Sequence, residues 1–175
     1  MKAKWVVNAS PLIALGNISR LDLLTDLCDE LVIPSAVSDE IFAGASNDKA
    51  VSWVKDKGYI YIRKGIKVEP KIIAWDLGKG ESEVISFCYT HRNFKAVLDD
   101  LAARKCASAF KVNTQGTLGI ILLAKKFGLI SNVREILDTL INTNFRIDEK
   151  LIGTILFLAN ENHYLYKPEE TCTTK

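Results

Sequence analysis

Phe94-Lys95-Ala96-Val97-Leu98-Asp99-Asp100 is a short apolar run that ends in two adjacent carboxylates. Packing alone gives a β-strand no reason to carry charge there. The run has the length and composition of a strand, and the C-terminal ends of parallel strands line the crevice where open α/β sheets bind ligands. Two neighbouring carboxylates repel, and a divalent cation is the usual relief. Asp100 could instead N-cap the next helix, expected over Leu101 to Ala109, but capping accounts for only one of the pair.

Outward from this stretch, strand-like and helix-like segments alternate. That pattern predicts an α/β fold, a three-layer α/β/α sandwich with a central parallel sheet. Lys4 to Val7 reads as a buried first strand near the sheet centre, followed by a helix with Ser10 as N-cap and Pro11 in its first turn. Glu30 to Ile33 reads as a strand closed by Pro34, and Ser35 can cap a helix to Phe42. Lys49 to Lys57 is amphipathic, and the alternating Tyr59-Ile60-Tyr61-Ile62 predicts a strand. A helix is expected from Glu81 to about Thr90, a short strand at Phe110-Lys111-Val112, and helices over Thr117–Phe127, Asn132–Leu140 and Asp148–Asn160.

A chain of 175 residues is long enough to bury a core without staples. One domain is expected over 1–166, including the C-terminal helices, with a polar tail at 167–175. Cys28, Cys88, Cys106 and Cys172 are scattered without a C-x-x-C pair, which argues against a zinc site or a disulfide framework. The N-terminal run turns polar at Asn8 before a signal-peptide core forms, and no apolar stretch approaches a membrane span, so a cytoplasmic location is expected.

The net charge of +2 matters less than its distribution. Leu101 to Arg134 contains no acidic residue, while Arg104, Lys105, Lys111, Lys125, Lys126 and Arg134 are basic. Such a stretch suits a phosphate backbone, or is a solvated surface with counter-charges supplied from elsewhere in the fold.

Three further polar residues could converge on the aspartates. At 100° per residue Glu81 falls on the apolar face of Val84, Ile85 and Cys88, while Glu83 points away and is expected to be solvated. Glu81 could equally engage the free N–H groups of its own first turn. Glu40 lies beside the apolar stripe of its helix and reads, by pattern alone, as solvated. Asn8 closes the first strand and would face the same crevice as Asp99. His91 and His163 are the only histidines, and His91 sits in a polar turn, so a histidine-assisted nucleophile fits poorly.

Val6-Val7-Asn8-Ala9-Ser10-Pro11-Leu12-Ile13-Ala14-Leu15 resembles the opening of PIN-domain nucleases, in which a strand ends in an aspartate followed by Ser or Thr two residues on. Ile33 to Ile41 is similar to the second motif of that family, with Glu40 on its acidic position. Gly80-Glu81-Ser82-Glu83-Val84-Ile85, Leu98 to Arg104 and Gly116-Thr117-Leu118-Gly119 resemble the later motifs. The likeness spans roughly residues 5 to 160 and points to the VapC-toxin-like branch. It implies a metal-dependent ribonuclease with Asn8, Glu40, Glu81, Asp99 and Asp100 in an acidic pocket. Mg²⁺ or Mn²⁺ would be held by Asn8, Glu81, Asp99 and Asp100 together with several waters. Ser10, Arg104 and Lys105 would contact RNA, and the implied partners are a cognate antitoxin and a second copy of the chain. One departure stands out: Asn8 replaces the family's aspartate, so the site is one negative charge short. A non-catalytic RNA- or protein-binding module and a small-molecule phosphoesterase are the rival readings.

Overall fold

The computed structural model describes residues 3–44 and 48–161. Strand β1 (Ala3–Val7) leads into helices α1 (Ala9–Asn17) and α2 (Asp22–Leu27), then β2 (Cys28–Pro34), α3 (Ser35–Phe42) and α4 (Lys49–Asp56). A 3₁₀ turn (Gly58–Tyr61) precedes β3 (Ile62–Arg63), α5 (Pro70–Ile73), α6 (Lys79–Thr90) and β4 (Lys95–Val97). The chain closes with α7 (Leu101–Ala109), β5 (Thr114–Gln115), α8 (Thr117–Lys126), α9 (Val133–Asn142) and α10 (Glu149–Leu158).

The strands form one five-stranded parallel sheet in the order β3-β2-β1-β4-β5, flanked by helices, as the alternating pattern predicts. β1 is central, and Trp5, Val6 and Val7 are fully buried. Burying side chains of this size stabilises the fold by roughly 1.5–3 kcal/mol each. α6 lies across β1, β2 and β4, with α5 and α7 beside it, while α1 packs on α4 and α8. From β1 the chain first builds outward through β2 and β3, then returns to build β4 and β5 on the other side. The order therefore reverses between β1 and β4, and the crevice beyond their C-terminal ends is the topological switch point.

Several local expectations need correction. Tyr59 to Tyr61 is a 3₁₀ turn and not a strand; Tyr59 and Ile60 are both exposed, and only Ile62 and Arg63 pair with β2. Phe110 to Val112 is the exit of α7. Val112 N–H bonds back to the Ala107 carbonyl, with Lys111 at φ 55°, a Schellman-type stop that postpones the strand to Thr114. Ser10 does not cap α1. The ladder runs one residue past β1, Asn8 N–H bonding the Val97 carbonyl at 3.1 Å, so Asn8 takes the N-cap position and the helix starts immediately after it. Pro34, not Ser35, is likewise the N-cap residue of α3. The expected polar tail lies outside the described residues, as do His163 and Cys172.

Candidate metal and nucleic-acid site

Asn8 follows the central strand and is 5% exposed. Its Oδ1 is buried and accepts no hydrogen bond. Among the described residues the only other such side-chain atom is the indole nitrogen of Trp5, a donor within the core. A buried acceptor without a partner costs free energy, so Oδ1 invites a donor or a cation. It faces the second residue of α6: a Cβ added at Gly80 would lie 3.1 Å from Asn8 Oδ1, 3.2 Å from Glu40 Oε2 and 3.0 Å from Val37 Cγ2. The missing side chain at Gly80 is what lets Asn8, from the sheet, and Glu40, from α3, close on one point.

Glu40 is thus exposed to solvent as its helix pattern predicts, yet still reaches the mouth of the crevice. Glu81 is half-buried, and its Oε2 accepts the Gly78 N–H at 3.2 Å, so it does engage its own helix terminus. Burial raises the Glu81 carboxyl above its ordinary range, against the lowering effect of the Gly78 hydrogen bond. The nearby negative charges of Asp100 and Glu40 push it up further. Glu81 therefore lies within electrostatic reach of both Glu40 and Asp100.

The two aspartates divide their work. Asp100 caps α7, accepting the Ala103 N–H at 2.9 Å. Asp99 accepts the Thr117 amide on Oδ1 at 2.8 Å and the Thr117 hydroxyl on Oδ2 at 2.6 Å. Burial raises the Asp99 carboxyl; the two Thr117 hydrogen bonds and the charge of Arg104 act in the opposite direction. Arg104 stands by this aspartate, its Nη1 only 3.1 Å from where a Cβ at Gly116 would lie. Ser10 and Lys105 are exposed, on the first turn of α1 and on α7.

Two residues escaped the sequence reading. Glu83 is not solvated but buried at 6% exposure, and its Oε2 accepts the Ala36 N–H at the start of α3, 3.1 Å away. The reason lies in the packing of α6, where every residue from Gly80 to Cys88 except Glu81 is buried, so a one-face helical projection fails. A signal existed: Pro34 as N-cap offers α3 no side-chain acceptor, so its free N–H groups need one from elsewhere. Thr117 is fully buried and orients Asp99; the strand-to-helix junction Gly116-Thr117 could have suggested a polar role.

Two residues of the basic stretch are neutralised in the fold. Lys125 pairs with Glu161 at 2.8 Å and Arg134 with Asp138 at 3.1 Å, counter-charges from beyond the stretch. Arg104 alone is placed directly against a crevice carboxylate. Cys28, Cys88 and Cys106 are buried, and burial pushes the Cys88 thiol up to about 12, which leaves it inert at neutral pH.

The side chains gathered at the crevice offer only oxygen donors, which suits a hard cation such as Mg²⁺ or Mn²⁺. Among the described residues no three His, Cys, Asp or Glu side chains are arranged to hold a metal ion by themselves. An ion that keeps much of its water needs no such cage, and the unpartnered Asn8 Oδ1 supplies a buried donor at the base of the site. The residues fit a hydrated divalent cation.

No helix among the described residues is long and apolar enough to cross a membrane. No curated protein and no solved structure matches the chain. A family model of the PIN domain matches residues 4–161, and so covers the sheet, the crevice and the C-terminal helices. The chain belongs to the PIN-domain family.

Proposed function

We propose that this protein is a divalent-metal-dependent ribonuclease, weakened in this chain by Asn8, and that it is the toxin half of a toxin–antitoxin pair acting in the cytoplasm. The observation that carries the reading is the unpartnered, buried Asn8 Oδ1 at the topological switch point, with Glu40 closing on it across Gly80 and Glu81 near enough to feel the charge of Glu40. Asn8, Glu81, Asp99 and Asp100 would hold Mg²⁺ or Mn²⁺ largely through the waters the ion retains, with Glu40 at the rim. When bound, the cation supplies Lewis-acid polarisation of the scissile phosphate and lowers the pKa of water.

The chain's own residues do the rest. Asp99, fixed by both donors of Thr117, keeps a defined orientation at the end of β4. Glu81, half-buried at the start of α6, faces the negative charges of Asp100 and Glu40, a repulsion that a bound cation would relieve. Arg104 offers a cation to the phosphate beside Asp99, and Ser10 and Lys105 line the approach. An antitoxin or a second copy would bury the apolar side chains Phe157 and Leu158, which α10 leaves 64% and 59% exposed.

The reading is tested on an Asn8→Asp version, in which Mn²⁺-dependent RNA cleavage should appear and be abolished by EDTA. Adding Glu81→Ala and Asp99→Ala together should remove it; unchanged cleavage would sink the assignment. The asparagine itself favours a second reading, a non-catalytic RNA-binding module. RNA binding without metal binding, both in the parent chain and in the Asn8→Asp version, would support that one.

A further inference from the structure

A cavity of about 460 Å³ opens at the far end of α1 from the crevice, walled by Ser19, Asp22, Lys49, Trp53, Lys57 and Tyr61. α1 begins next to Asn8 and its nine residues cover about 14 Å, so the cavity lies roughly one helix length from the acidic mouth. Between the two runs the solvent-facing strip of that helix, Ser10, Ile13 and Asn17.

The cavity has a specific construction. Lys49, Trp53 and Lys57 are four residues apart and form one line along α4 and its C-cap, at steps of about 6 Å. The Trp53 ring is seated on Gly58, where a Cβ would come within 2.7 Å of Cζ3. Tyr61 lies beside it with near-parallel rings, centroids 6.4 Å apart and planes at 17°. Both rings are half-buried and still line the cavity. Lys49 Nζ donates to Ser19 Oγ at 2.8 Å, and among the described residues neither Lys49 nor Lys57 forms an ion pair. Asp22, on α2, is the one carboxylate on the rim.

An aromatic wall with a cation free of ion pairs on either side suits a base between two phosphates. Stacking accepts any base, and lysines meet phosphates without geometric demands. A neutral apolar ligand would have no use for the two cations. We propose that this cavity is a second contact for single-stranded RNA: one base stacks on Trp53 and Tyr61, and Lys49 and Lys57 meet the flanking phosphates. This rests on the RNA-acting reading above and adds to it a grip on the strand away from the cleavage point.

The test needs binding and not cleavage. Fluorescence anisotropy of a labelled single-stranded oligouridylate of about twelve nucleotides is followed in EDTA, with the full chain. Trp53→Ala should weaken binding about tenfold and Trp53→Phe should retain most of it. Lys57→Gln should reduce the slope of log affinity against log salt by about one. Arg104→Gln serves as the comparison at the acidic mouth. If binding falls with Arg104→Gln but is untouched by Trp53→Ala and Lys57→Gln, the second contact is wrong and the RNA reading stands. If the chain binds no RNA with or without Mn²⁺, both fall. If RNA binding is unchanged while Trp53→Ala abolishes self-association in sedimentation, the cavity is a protein contact and the proposal is overturned.

Discussion

The hydroxyl of Thr117 donates to Asp99 Oδ2 at 2.6 Å while its amide donates to Oδ1 at 2.8 Å, so one residue holds both oxygens of a half-buried carboxylate. The bond ties the end of β4 to the start of α8 across the switch point. Thr117→Val removes the hydroxyl with little change of shape and leaves Asp99 one donor short. The cost should be about 1–3 kcal/mol, read from chemical denaturation. The Asp99 carboxyl, already raised by burial, should rise further, so that Mn²⁺ binding sets in at higher pH than in the parent chain.

Gly80 separates the site from the fold. Gly80→Ala should favour α6 by up to about 1 kcal/mol, since alanine is the better helix former. Its Cβ would nevertheless crowd the buried Val37 Cγ2 at 3.0 Å, which offsets that gain, and Asn8 Oδ1 and Glu40 Oε2 at 3.1 and 3.2 Å. We expect a melting temperature close to that of the parent, with Mn²⁺ affinity reduced at least severalfold in calorimetry. Unchanged affinity would show that Asn8 and Glu40 do not act at one point.

The parallel sheet and its central strand were legible because β1, β2 and β4 are buried apolar runs whose composition leaves few alternatives. The aspartates at the end of β4 were legible for the opposite reason, as charge placed where packing does not ask for it. The angular reading of α6 misplaced both glutamates, putting Glu81 on the buried face and Glu83 in solvent, because it assumes one buried face; α6 is enclosed on nearly every side, and Glu81 is the residue it leaves only half-buried. The role of Gly80 was hidden altogether: it depends on how closely α6 approaches Asn8 and Glu40, a tertiary distance that no local pattern carries.

Glu83 links α6 to the first turn of α3 through the Ala36 amide, and with it the helices that carry Glu81 and Glu40. Glu83→Ala leaves a buried N–H unsatisfied and should cost about 1–3 kcal/mol in denaturant melts. Glu83→Gln keeps an acceptor and should cost less. Equal losses would mean that the charge at the helix N-terminus, and not the hydrogen bond, is what matters.

Glu161 joins α8 to α9. It pairs with Lys125 at 2.8 Å and accepts the Val133 and Arg134 amides at the start of α9. Burial would raise its carboxyl, but Lys125 and the two amides outweigh it and hold it below the ordinary glutamate range. A carboxyl lowered by folding stabilises the protein above its unfolded value, about 4.3, and stops doing so as pH falls through the folded value. Glu161→Gln should therefore be less stable than the parent near neutrality, by about 1–3 kcal/mol, with the gap closing in acid. A gap independent of pH would contradict this.

The central claim is that the crevice at the ends of β1 and β4 is a divalent-metal site lacking one negative charge. Calorimetric titration of Mn²⁺ into this chain and into Asn8→Asp tests it most directly, each protein then being incubated with a structured RNA. The account predicts weak binding and little cleavage by the parent, and tight binding with Mn²⁺-dependent cleavage by Asn8→Asp. If Asn8→Asp binds Mn²⁺ no better than the parent and leaves the RNA intact, the carboxylates are structural and the account is contradicted.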